Sequence, residues 1–181
     1  MPLDPNMNRK LLIGPSIIAV GLVFHTIGQA TPYWTSVTLP VMDITQNIGL
    51  WEVCVPKGCV RIPIDSPDLT PSYHASRAFA IMGVLSGAAA VLAIFLYVFQ
   101  AKLIYATVSS ALGALSGFLI AVCIIVWAAY ISDKCEDISY SHGFSYAFSC
   151  VGCILSVAGS IVAHFSNRRH HNLGYQAIGS S

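Results

Sequence analysis

Four long stretches of this chain contain no Asp, Glu, Lys or Arg: residues 11–29, 78–101, 103–132 and 144–167. Nothing else in the sequence restricts the fold so severely. A helix rising 1.5 Å per residue needs about 20 residues to cross a bilayer core of about 30 Å. The stretches hold 19, 24, 30 and 24 residues counted inclusively, so each is long enough. Only 9 % of the chain is charged and 55 % is hydrophobic, whereas a soluble domain carries about 25 % charged residues. The hydrophobic content also excludes disorder, and a net charge of +1 gives no general field for nucleic acid. The reading is one membrane domain over residues 1–181, with spans at 11–29, 78–100, 105–131 and 144–165. Loops at 30–77 and 132–143 and a tail at 166–181 complete it. Arg9 and Lys10 ahead of an apolar run also fit a cleaved leader, but 19 residues exceed the usual leader core.

Charge sorts the two sides of the membrane. Arg9, Lys10, Lys102, Arg168 and Arg169 fall on the side of the termini and the short link. The two long loops hold Lys57, Arg61, Arg77 and Lys134, and every acid except Asp4: Asp43, Glu52, Asp65, Asp68, Asp133, Glu136 and Asp137. The positive-inside bias then predicts cytoplasmic termini and outward loops. The link at Gln100–Ala101–Lys102 is so short that the second and third helices must be antiparallel neighbours. Any folded surface outside the membrane has to lie mainly in residues 30–77.

That loop alternates strand formers with turn residues. Thr35–Leu39 reads as a strand with Val37 and Leu39 on one face, ended by Pro40; Ile48–Val55 reads as a second and Val60–Ile64 as a third. Between the last two, Cys54-Val-Pro-Lys-Gly-Cys59 has Pro56 and Gly58 at positions that suit a turn. The cysteines face each other across a hairpin, and an oxidising outer space favours a disulfide over two free thiols. So small a ring stabilises by roughly 2 kcal/mol on the loop-entropy account. Thr70-Pro71 reads as a helix N-cap with proline at the first helical position. Arg77 runs against the charge bias, so it is expected to bond loop carbonyls or an acid, or to stack on a tryptophan. Snorkelling to headgroups is the alternative.

Trp34, Gly49-Leu50-Trp51, Cys54 and Cys59, all between the first two helices, resemble the W…GLW…C…C signature of the claudin superfamily. That superfamily includes claudins, epithelial membrane proteins, peripheral myelin protein, lens fibre membrane protein and gamma/stargazin-type channel subunits. Ala75-Ser-Arg-Ala-Phe79 is similar to the run that opens helix 2 in these families, and His142-Gly-Phe-Ser-Tyr146 resembles the helix-4 entry of epithelial and lens members. The short gap between the cysteines is lens-fibre-like. The resemblance implies a mainly α membrane fold: a left-handed four-helix bundle capped by a small extracellular antiparallel β-sheet, docked through Trp34 and Gly49–Trp51. It also implies a non-enzymatic, multi-pass plasma-membrane protein of cell–cell contacts or paracellular barriers. The alternative is an auxiliary subunit of an ion channel or receptor. Partners would be membrane lipid and proteins of the same or apposed membrane: another copy, a claudin-like protein or a channel subunit. The sequence departs from claudins in ending Ile178-Gly-Ser-Ser181 without a hydrophobic terminal residue, in its short second loop, and in lacking a cysteine at a cytoplasmic helix end or an Asn-x-Ser/Thr acceptor. Scaffold-anchored tight-junction strands are therefore not expected.

Catalytic chemistry finds little support, and no cofactor or metal site is expected. His25 and Gln29, four apart on the first span, read as a buried hydrogen-bonding pair. Without an intramembrane carboxylate a transporter is not expected. Cys150-Val-Gly-Cys153 raises a remote alternative, a membrane thiol oxidoreductase of the vitamin K epoxide reductase type, but no base or cation lies nearby in sequence. The cysteines read instead as small packing residues. Gly14, Gly21 and Gly28 repeat every seven, and Gly83/Gly87, Gly113/Gly117 and Gly152/Ser156/Ser160 repeat every four; such spacings let helices approach closely within a bundle, with a homo-oligomer face as the alternative. Cys135 is left free or bridges two protomers. Arg168-Arg-His-His171 reads as a stop-transfer cluster that favours anionic lipid, and Tyr175-Gln-Ala-Ile178 fits a Tyr-x-x-hydrophobic endocytic pattern. Asp43–Asp68 sums to −2 (four acids, two bases), as does the second loop (three acids, one base). Asp43, Glu52, Asp65 and Asp68 are thus candidates to face a partner or cations.

Overall fold

Each charge-free stretch lies in a helix because, in hydrocarbon, a lone segment can satisfy its backbone groups only by helical hydrogen bonds. The computed structural model describes residues 5–39, 44–64, 69–100, 102–135 and 138–179, with side chains described from 11 to 169. The helices are α1 (Pro5–Ala30), α2 (Pro71–Gln100), α3 (Leu103–Lys134) and α4 (Phe144–Gly179). All four contain segments long and apolar enough to cross a membrane. α2 starts at Pro71, ahead of the charge-free stretch, so Tyr73, His74 and Arg77 belong to the helix itself. At this start the Thr70 carbonyl accepts from the N–H groups of Tyr73 (3.0 Å) and His74 (3.3 Å). The Thr70 hydroxyl is buried with no partner among the described residues, so it is the Thr70 carbonyl that receives the first N–H groups of the helix.

Small residues set the helix spacing. α1 lies along α4, α2 along α3 and α3 along α4, whereas α1 and α2 meet far less extensively. A Cβ built on Gly14 would sit 2.5 Å from the Ala163 nitrogen, and one on Gly28 2.6 Å from the Ser145 carbonyl. Both neighbours are backbone atoms that cannot swing aside. The seven-residue repeat is thus the close-approach stripe between α1 and α4. On the other seams Ser116 donates to the Gly83 carbonyl (2.7 Å) and Ser110 to the Ser160 carbonyl (3.2 Å).

The sheet has five antiparallel strands in the order β4-β3-β2-β1-β5: β1 Thr35–Leu39, β2 Ile44–Ile48, β3 Glu52–Val55, β4 Gly58–Arg61 and β5 Tyr140–His142. Two expectations need correcting. The single strand read over Ile48–Val55 is the end of β2, a turn and β3. Gly49 makes that break: a Cβ there would lie 2.5 Å from the Pro32 Cα, and its N–H bonds the Glu52 carbonyl at 2.9 Å. The third strand ends at Arg61, although the Ile62 N–H still reaches the Trp51 carbonyl (2.8 Å) before Pro63, which has no N–H, stops the ladder. The second loop supplies β5, which pairs with β1 by Thr35↔His142, Ser36↔Ser141 and Val37↔Tyr140. The main buried cluster lies where this sheet meets the helices, with Trp34, Val37, Leu50, Tyr73, Trp127 and Ile131 at its centre.

Candidate functional site

The β3–β4 hairpin is fixed at both ends. At its tip Cys54 and Cys59 face each other in register and form a disulfide. Gly58, in the turn, has φ +149°, a backbone conformation that side-chain-bearing residues rarely adopt. At its base stands Arg77, only 3 % exposed. Its Nε donates to the Leu50 carbonyl at 2.6 Å, Nη2 to Ile62 at 3.2 Å and Nη1 to Pro63 at 3.4 Å. The guanidinium also lies over the Trp51 ring (5.1 Å to the centroid) and the Tyr73 ring (4.8 Å). A buried cation needs charge-assisted hydrogen bonds or a π face to replace its hydration. Arg77 has both, and its bonds span the chain entering and leaving the hairpin.

Trp34 fixes the other half of the sheet. It is fully buried, its indole N–H donates to the Gly28 carbonyl at 2.8 Å, and its ring meets Trp127 edge to face at 5.3 Å. The bonded carbonyl belongs to the last turn of α1, where carbonyls lack intrahelical partners. The Trp127 N–H in turn donates to the Thr35 hydroxyl (3.0 Å), and the Tyr73 hydroxyl donates to the Gly49 carbonyl. Ser145, at the start of α4, completes the set by bonding the Thr31 hydroxyl (2.6 Å) and accepting from the Tyr33 N–H (3.1 Å).

Trp34, Gly49, Leu50, Trp51 and Arg77 therefore converge on one junction between sheet and bundle. Glu52 is half-buried on β3, in register with Arg61 of β4. Asp43, Asp65 and Asp68 lie outside the described residues, as do the side chains of Tyr175 and Ile178. Sequence reasoning missed Trp127, Thr35 and Ser145. The available signal for Trp127 was its place near the loop-side end of the third stretch, where a membrane protein favours tryptophan.

The His25–Gln29 pair does not form. His25 is fully buried and bonds Ser149 (3.3 Å) and the Ala80 carbonyl (3.3 Å) instead. Gly152 lets α4 come close to His25, since a Cβ there would sit 2.9 Å from the His25 Cβ and backbone nitrogen, while Gln29 lines the α1/α2 opening. Cys150 and Cys153 are unpaired, and the Cys153 thiol donates to the Gly117 carbonyl at 3.4 Å. Cys135 is also a free thiol, 8 % exposed among the core aromatics. Burial pushes its thiol up from the usual range.

No curated protein matches this chain in sequence. Residues 10–163, which include the five strands and the bonds just described, match the PMP-22/EMP/MP20/Claudin family. With four membrane-crossing helices and a disulfide-pinned sheet inside the matched region, this multi-pass membrane protein belongs to the PMP-22/EMP/MP20/Claudin family.

Proposed function

We propose that this protein acts without catalysis at the plasma membrane, with cytoplasmic termini, and presents its pinned sheet outward at cell–cell contacts. Its partners are proteins of the same or the apposed membrane. The observation that carries this reading is the free edge of the sheet. Among the described residues β4 has a neighbour on one side only, and all four of its residues are exposed. Val60 is 69 % exposed, and Ile64 just beyond it 73 %. An unpaired strand edge offers open N–H and C=O groups to another chain, and exposed apolar side chains beside it add binding area. The disulfide keeps that edge ordered before a partner arrives, which lowers the entropy cost of binding.

The acids support a preference for cations at the contact surface, with Asp43, Glu52, Asp65 and Asp68 as the residues concerned. Neutralising Asp65 and Asp68 together tests this: permeability or binding that stays as cation-selective as before counts against it. For the contact role itself, the full chain is expressed in cells without contacts of their own. Enrichment at cell borders and self-association in mild detergent are expected, and Val60→Lys should weaken self-association about ten-fold by placing a charge on the edge. Recovery of a channel subunit in fixed stoichiometry, with no self-association, would move the assignment to an auxiliary subunit.

A further inference from the structure

α1 and α2 touch where Leu22 meets Gly87 and where His25 reaches Ala80. Toward the sheet they leave a cleft of about 320 Å³. Thr26 and Gln29 line it from α1, Ile81 from α2, and Trp51, Glu52 and Arg61 from the sheet. Glu52 and Arg61 are register partners on adjacent strands, so their side chains leave the hairpin on one face. Despite that placement, no ion pair or hydrogen bond joins their charged groups to each other or to any other described residue. Gln29 adds a third unsatisfied group: its Oε1 is shut off from solvent with no partner among the described residues.

An anion and a cation one strand apart, both unpaired and beside an aromatic ring, are the complement of a zwitterion. A guanidinium suits a phosphate, and a carboxylate beside a tryptophan suits an ammonium group. The location selects the kind of zwitterion. Gln29 is the next-to-last residue of α1 and of its membrane-crossing segment, and Ile81 lies just inside the charge-free stretch of α2, so the cleft straddles the border where phospholipid headgroups lie. One turn deeper on the same two helices, Val23 and Leu85 are 56 % and 63 % exposed and continue an apolar track.

We propose that this cleft binds the headgroup of a zwitterionic phospholipid from the leaflet on the sheet side. Arg61 takes the phosphate, Glu52 the ammonium, and an acyl chain follows the α1/α2 seam. The Trp51 ring that Arg77 covers is also a wall of the cleft, so the bound lipid touches the anchor of the hairpin.

The test uses the full chain purified in a maltoside detergent, which carries no phosphate or ammonium. Phosphatidylcholine, phosphatidylglycerol or free phosphocholine is added back, and retention by native mass spectrometry and the thermal midpoint are read. Phosphatidylcholine should be retained at least about five-fold more than phosphatidylglycerol and should raise the midpoint. Glu52→Gln should remove the preference, and Arg61→Gln should reduce retention of both lipids. Neither change should shift the midpoint of the lipid-free protein, because neither side chain is bonded there. Equal retention of the two lipids by the unmodified chain, or unchanged retention in both variants, overturns the proposal. Free phosphocholine binding as tightly as the lipid overturns the assignment to a bilayer lipid. If a variant fails to fold, the comparison of lipids on the unmodified chain decides alone.

Discussion

The sheet–bundle junction and the helix seams hold this molecule together in different ways. At the junction a few side chains make directional bonds: Arg77 to three carbonyls, Trp34 to the end of α1, Trp127 to Thr35. Along the seams what matters is the lack of side chains, as at Gly14, Gly21 and Gly28 against α4. The difference follows from the surroundings. Lipid tails give helices no hydrophobic reason to associate, so the seams depend on close van der Waals approach. The sheet must instead satisfy backbone groups at a boundary, which takes donors aimed at particular carbonyls. Damage at a seam should therefore spread through the bundle, and damage at the junction should stay with the strands.

The largest effect expected is at a seam. Gly14→Val puts a branched side chain against backbone atoms of Gly159 and Ala163 and should cost about 4 kcal/mol or more. Size-exclusion chromatography should show little monodisperse protein. Normal recovery would mean that α1 and α4 can move apart and would break the contrast. Next is Arg77→Ala, which strips donors from three carbonyls and a cation from two rings; a loss of about 3 kcal/mol is expected. Arg77→Lys should recover only part, because an ammonium cannot reproduce the guanidinium fork, and denaturant titration in mild detergent measures both.

The remaining changes grade the junction. Cys54→Ser/Cys59→Ser should lower stability by about 2 kcal/mol through loss of the small ring, which thermal unfolding with and without reductant can check. Trp127→Phe keeps the ring stack but leaves Thr35 unpaired, at about 1 kcal/mol. Thr70→Val should be neutral or slightly stabilising, since the hydroxyl is buried with no partner among the described residues. A measured loss there would show that the side chain caps α2 after all.

Legibility in the sequence divides along the same line. The four helices could be read because hydrocarbon imposes one requirement, a long run without charge, that any sequence must display. The signature Trp34…Gly49-Leu50-Trp51…Cys54…Cys59 pointed to the junction because tryptophan, glycine and cysteine have narrow physical uses. Inside that frame the reading failed where tertiary contacts decide. The residues from Ile48 to Val55 look like one apolar strand, and only the proximity of Pro32 to Gly49 shows why the chain must turn there. Trp127 lies in a helix that is apolar all round, where sequence cannot say which face meets the sheet. His25 and Gln29 share a helical face by spacing, yet His25 bonds Ser149 and the Ala80 carbonyl inside the bundle while Gln29 is left at the cleft.

Arg77 seats the hairpin on the bundle without holding the bundle itself together. Hydrogen exchange followed by mass spectrometry on Arg77→Ala, in the same detergent as the unmodified chain, tests this most directly. Faster exchange is expected across residues 49–64, including the Ile62 amide that bonds Trp51, with protection in α1, α3 and α4 retained. Unchanged protection in the hairpin, or an equal loss in all four helices, would contradict it.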